Sequence, residues 1–69
     1  MERIKCYSTW ITDHSWAEHE AAWRLVDHGG GWMSTGAATI EYYVPERLES
    51  FFLLILTGAT YKSTKDWIK

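Results

Sequence analysis

Pro45-Glu46-Arg47-Leu48-Glu49-Ser50-Phe51-Phe52-Leu53-Leu54-Ile55-Leu56-Thr57-Gly58 is the stretch whose reading decides the fold. Phe51 to Leu56 is an unbroken apolar run, and helix punctuation stands on both sides of it. Pro45 suits a first helical position, where a missing N–H costs nothing, and Glu46 and Glu49 place negative charge near the positive end of the dipole. Gly58 can take the left-handed conformation that closes a helix. On a helical wheel Leu48, Phe51, Phe52, Ile55 and Leu56 form the central apolar arc, with Leu53 and Leu54 extending it on either side. Only Glu46, Ser50 and Thr57 leave a polar stripe. A helix apolar over so much of its circumference needs cover on more than one face. A small domain supplies one covering layer, so a second copy of the chain is the simplest source of the rest. This reading predicts a homodimer contact through Phe52, Leu53, Leu54 and Leu56.

Working outward, the 69 residues predict one domain, residues 1–69, near the size at which a single core stabilises a fold by only ~3–5 kcal/mol. The lone Cys6 excludes an internal disulfide and reads as a small buried hydrophobe. No cationic, apolar leader opens the sequence and no apolar run approaches a membrane span, so a soluble, cytoplasmic protein is expected. The net charge of −2 argues against general polyanion binding. Charge is nevertheless segregated. Residues 13–50 hold seven acids against Arg24 and Arg47, while Arg3, Lys5, Lys62, Lys65 and Lys69 cluster at the two ends.

Toward the N-terminus, residues 3–12 alternate as a half-buried strand, with Ile4, Cys6 and Trp10 inward and Arg3, Lys5, Tyr7, Thr9 and Ile11 outward. Ser15-Trp16-Ala17-Glu18 fits a capping box. The helix it opens runs to about His28 and stops at Gly29-Gly30-Gly31. Its inner arc is Leu25, Ala22, Val26, His19 and Trp23, with Trp16 at the margin; Glu20, Arg24, Asp27 and His28 lie outside. Trp32-Met33 reads as a short strand, Ser34-Thr35-Gly36-Ala37 as its turn, and Ala38 to Val44 as a strand with Ala38, Ile40, Tyr42 and Val44 on one side. Thr60-Tyr61-Lys62 can make a final strand, while Ser63-Thr64-Lys65-Asp66 can equally cap a last helical turn. This order predicts a two-layer α+β domain: an antiparallel sheet with two helices on one face, on the βαββαβ plan of the ferredoxin-like fold.

Candidate chemistry fails on inspection. His19-Glu20-Ala21-Ala22-Trp23 starts like a zinc-protease helix, but Trp23 replaces the second histidine. His14, His19 and His28 do not converge, so no metal site is expected, and His19 reads as a hydrogen-bonded core histidine. Asp13-His14-Ser15 holds triad residue types without triad geometry. Gly29-Gly30-Gly31 lacks the lysine of a phosphate loop. No catalytic residue and no cofactor is expected.

Five tryptophans exceed what so thin a core absorbs. Trp16, Trp23, Trp32 and Trp67, with Glu20 and Asp27 at the rim, are therefore the expected contact with a partner protein. A very short chain of this profile fits an inhibitor encoded by a phage or mobile element. Two other functions compete: a small-ligand or nucleotide binder, and a single-stranded nucleic-acid binder. The second would use Arg3, Lys5, Tyr7 and Tyr43 as a stacking platform facing away from the helices. Glu41 between the platform positions, the net acidity and the lack of a glycine-aromatic signature weigh against nucleic acid.

Overall fold

The computed structural model describes residues 2–67, with side chains described over 2–64. Strand β1 (Glu2–Trp10) leads through a single turn of 3-10 helix, Ile11–Asp13, into helix α1 (Trp16–His28). Strands β2 (Trp32–Thr35) and β3 (Thr39–Pro45) follow, then a second 3-10 turn at Glu46–Leu48, helix α2 (Glu49–Ile55) and strand β4 (Thr60–Trp67). The strands form one open sheet in the order β2-β3-β1-β4, and every neighbouring pair is antiparallel. The chain is a small α+β fold. No helix among the described residues is long and apolar enough to cross a membrane.

Local sequence explains most of these elements. Ser15 Oγ accepts from the Glu18 amide at 3.2 Å, while the Ser15 amide donates to Glu18 Oε1 at 2.8 Å, completing the capping box. At the other end of α1, Gly30 takes a φ of 92°, which a side chain disfavours. Gly31 is required for a different reason. A Cβ there would strike the Tyr43 carbonyl and lie 2.7 Å from Val26 Cγ1 and 2.8 Å from Pro45 Cδ. Gly58, with φ 87°, closes the segment after α2.

One core unites the two layers. Ala22 and Val26 of α1, Phe52 of α2 and the following Leu56 pack with Ile40, Tyr42 and Val44 of β3 and Tyr7 of β1. The Phe52 ring lies 5.3 Å from Tyr7 and 5.2 Å from Tyr42, at tilted angles that aromatic quadrupoles favour. Both helices therefore cover the same sheet face.

Three sequence expectations need correction. The central helix is shorter than residues 45–58, because Pro45 ends β3 and the next three residues form the 3-10 turn. Its burial also differs. Phe52 and Leu56 are fully buried in the protomer's own core and have no surface to give a dimer, whereas Phe51 is 56 % exposed and Leu54 is 78 % exposed. Leu53 is half-buried.

The third correction concerns β1, whose faces are reversed. Tyr7 is 4 % exposed and points at α2, where its hydroxyl donates to the Glu49 carboxylate. Lys5 Nζ reaches Glu49 Oε1 at 3.0 Å and Glu46 Oε2 at 3.8 Å. Ile4 and Cys6, although buried, lie outside the helix-covered core cluster, and Trp10, expected inward, is exposed. A central strand buried on both faces carries no inside–outside alternation to read. Tyrosine and lysine accept the helix face because their apolar bodies pack while their polar ends meet carboxylates.

The final segment is a strand in pairing register with β1 from Ser8↔Thr60 to Glu2↔Trp67. Its alternative, a last helical turn, is excluded over the described backbone.

Candidate functional site

The side of α1 away from α2 overhangs the β2 edge of the sheet and leaves a groove of about 450 Å³. Trp16 and Trp23 of α1 form one wall, Met33 of β2 and Ile40 of β3 the other, and Ile11 closes the end. Trp16 is 71 % exposed and Trp23 39 % exposed. Glu20, Arg24 and Thr35 supply the polar rim, with Arg24 Nη2 3.2 Å from Glu20 Oε1. An exposed pair of this kind contributes only about 0.3–0.5 kcal/mol, so it yields readily to a competing charge.

The floor is polar and fully satisfied. His19 is 2 % exposed, with Nε2 3.0 Å from the Ile11 carbonyl and Nδ1 2.9 Å from Tyr42 Oη. A carbonyl only accepts, so Nε2 carries a proton, and Nδ1 is bonded to the tyrosine hydroxyl, which also lies 3.4 Å from the His19 carbonyl. Burial pushes the Tyr42 hydroxyl up to about 12, which keeps it a donor. His19 thus has no ring nitrogen left to act as a base or to ligate a metal. It locks the start of α1 to β3 and to the 3-10 turn after β1. Among the described residues no group of three His, Cys, Asp or Glu side chains is placed to hold a metal ion.

Of the expected partner-binding residues, the structure brings Trp16, Glu20 and Trp23 to this groove. Asp27 extends the same helical stripe, since positions 16, 20, 23 and 27 recur on one side of a helix. Trp32 stands elsewhere: its ring stacks on Tyr43, centroids 5.1 Å apart and planes within 15°. The Trp67 side chain lies outside the described residues. Ile11, Arg24, Met33, Thr35 and Ile40 were not anticipated as site residues. They come from several elements, and no local signal in the sequence joins them.

The stacking platform does not form. Tyr43 lies on the helix-free face and Tyr7 on the helix-covered face, and Lys5 is engaged by Glu49 and Glu46. Arg3 is exposed. On the helix-free face, exposed Trp10 instead borders a smaller hollow of about 320 Å³ with Ser8, Thr39, Glu41, Thr60 and Lys62.

The cluster of Lys5, Tyr7 and Glu49 is the most strongly perturbed titratable set. The Tyr7 hydroxyl bond, followed by the Lys5 contact, holds the Glu49 carboxyl below the usual carboxylate range. Burial and then the Glu49 bond hold the Tyr7 hydroxyl well above its ordinary value. All three groups are partnered, and they pin α2 to β1 instead of opening on a cavity. Their chemistry is that of a structural clamp. No protein-family model, no curated protein and no solved structure matches this chain.

Proposed function

We propose that the chain is a non-enzymatic interaction module that binds a partner protein through the groove between α1 and β2. The observation that carries this reading is the pair Trp16, largely exposed, and Trp23, partly exposed, over an apolar cleft whose polar floor is already satisfied. Exposed tryptophans on a rigid helix supply a large contact area at small entropic cost, as interface hot spots do. The proposal includes modulation or inhibition of the partner by its capture. It also includes the ferredoxin-like plan, supported by the element order and the strand order β2-β3-β1-β4.

A display selection of randomised peptides against the immobilised protein tests the reading. The expected binders lose capture on Trp16→Ala and Trp23→Ala and keep it on Phe51→Ser. Binders indifferent to both tryptophan substitutions would overturn it.

A second reading keeps the homodimer on a narrower footing. Phe51 and Leu54 are neighbours one turn apart on α2, and both are exposed. Two such side chains fall well short of the ~800 Å² per partner of a standard interface. Self-association through α2 is therefore weak and concentration-dependent, and it is abolished by Leu54→Asp. The groove also lies within the ~300–1,000 Å³ of small-ligand sites, which favours a ligand as the alternative occupant.

A further inference from the structure

The two edges of the sheet are built differently. On one side, β4 carries Lys62 as an extra residue at a bulge, where the pairing shifts from Cys6↔Ser63 to Tyr7↔Tyr61. Its sequence adds Lys65 and Asp66. Lysines, charges and bulges are the devices that keep a sheet edge from accepting another strand. On the other side, β2 reads Trp32-Met33-Ser34-Thr35, without a charge, a proline or a bulge, and it pairs with β3 in unbroken register. The edge without charge, proline or bulge, protected only by its four-residue length, is the one that borders the tryptophan groove.

From this we infer that the partner enters as an extended, basic segment that adds a strand to β2 and seats its alternate side chains in the groove. The inference rests on the protein-binding reading above and specifies the chemistry of the partner. Three features fix it. First, Met33 and Thr35 line the groove, whereas Trp32 and Ser34 pair with Tyr43 and Glu41, whose side of the sheet is the helix-free face. A strand laid along β2 sends every second side chain to the groove side, since strand side chains alternate. Main-chain bonds then hold the segment and the groove selects its side chains.

Second, the helical stripe above that path carries Trp16, Glu20 and Trp23 at the groove and Asp27 beyond it, and the one base beside them, Arg24, is held 3.2 Å from Glu20 and exchanges readily for a partner's cation. Lysine or arginine fits both kinds of residue, its aliphatic stem over an indole face and its charged head on a neighbouring carboxylate. Third, the charge balance selects against self-pairing. Residues 13–28 hold Asp13, Glu18, Glu20 and Asp27 against Arg24, so a second copy docked edge to edge would set two acidic helices side by side. A cationic segment gains from the same field.

Three short peptides probe the inference: alternating lysine and valine, the same pattern with glutamate for lysine, and a lysine–valine peptide interrupted by proline. Titration followed by amide chemical shifts and amide exchange reads both site and mode. The lysine peptide is expected to bind at least about tenfold tighter than either control. It should shift and protect the Met33 to Thr35 amides, and lose its affinity on Trp23→Ser but not on Leu54→Ser. Equal binding of the glutamate peptide overturns the charge argument. Binding that leaves the β2 amides unprotected overturns strand addition. Protection of those amides with rising protein concentration alone makes a second copy the occupant and overturns the inference. If displayed peptides bind through Trp16 and Trp23 while β2 stays unprotected, strand addition fails and the protein-binding reading stands; if no binder needs either tryptophan, that reading itself fails.

Discussion

Adjacent phenylalanines on α2 offer the sharpest test of the structure. Phe52 is fully buried between the rings of Tyr7 and Tyr42, and Phe51 is more than half exposed. Phe52→Ala removes a ring from a close-packed site and leaves a cavity, at a cost of about 3–5 kcal/mol. A chain of this size has a total stability on the order of 3–10 kcal/mol, so the variant is expected to lose at least about a third of its stability. Phe51→Ala removes a ring that is mostly in water. Its cost is expected within about 0.5 kcal/mol, partly offset by the better helix propensity of alanine. Urea unfolding followed by far-ultraviolet circular dichroism measures both. Should Phe52→Ala not fold, Phe52→Leu keeps the comparison measurable at about 1–2 kcal/mol. In thermal terms each kcal/mol corresponds to roughly 4–8 °C, so the two positions separate clearly. A larger loss at Phe51 than at Phe52 would refute the placement, because α2 would then be rotated by about one residue about its axis.

Two further outcomes are expected. Gly31→Ala, which forces a Cβ against the Tyr43 carbonyl, Val26 and Pro45, should lower the unfolding midpoint by more than Gly30→Ala, whose cost of about 1 kcal/mol is conformational only; the reverse ranking in a urea melt would contradict the close packing at residue 31. The Glu49 carboxyl is depressed in the folded state, so its contribution is complete above the unfolded value near ~4.3 and is lost as pH falls through the folded value. Acid titration of stability should therefore be shallower for Glu49→Gln than for the wild-type chain, and parallel curves would show that the Tyr7–Glu49–Lys5 cluster does not form.

Much of this molecule is written locally. The capping box at Ser15 and Glu18 and the stop at the glycine run are set by contacts within a few residues, and the β3 alternation puts Ile40, Tyr42 and Val44 on one side of their strand. The buried, doubly bonded His19 was legible in the same way, as a polar residue on an apolar arc. The acidic-aromatic stripe of α1 was legible as a set of residue types, since helical spacing alone puts positions 16, 20, 23 and 27 on one side.

What the tertiary structure decided is which apolar groups remain outside. Lys5 and Tyr7 turn toward the helices because Glu46 and Glu49, some forty positions along the chain, are there to receive them. The same packing claims Phe52 and Leu56 and leaves Phe51 and Leu54 in water, although all four belong to one greasy run. The groove exists because α1 overhangs an edge strand, which is a property of strand order and not of any segment. Periodicity tells a side chain which neighbours share its face. It cannot tell which face the rest of the chain will cover, because that depends on contacts between residues far apart in sequence.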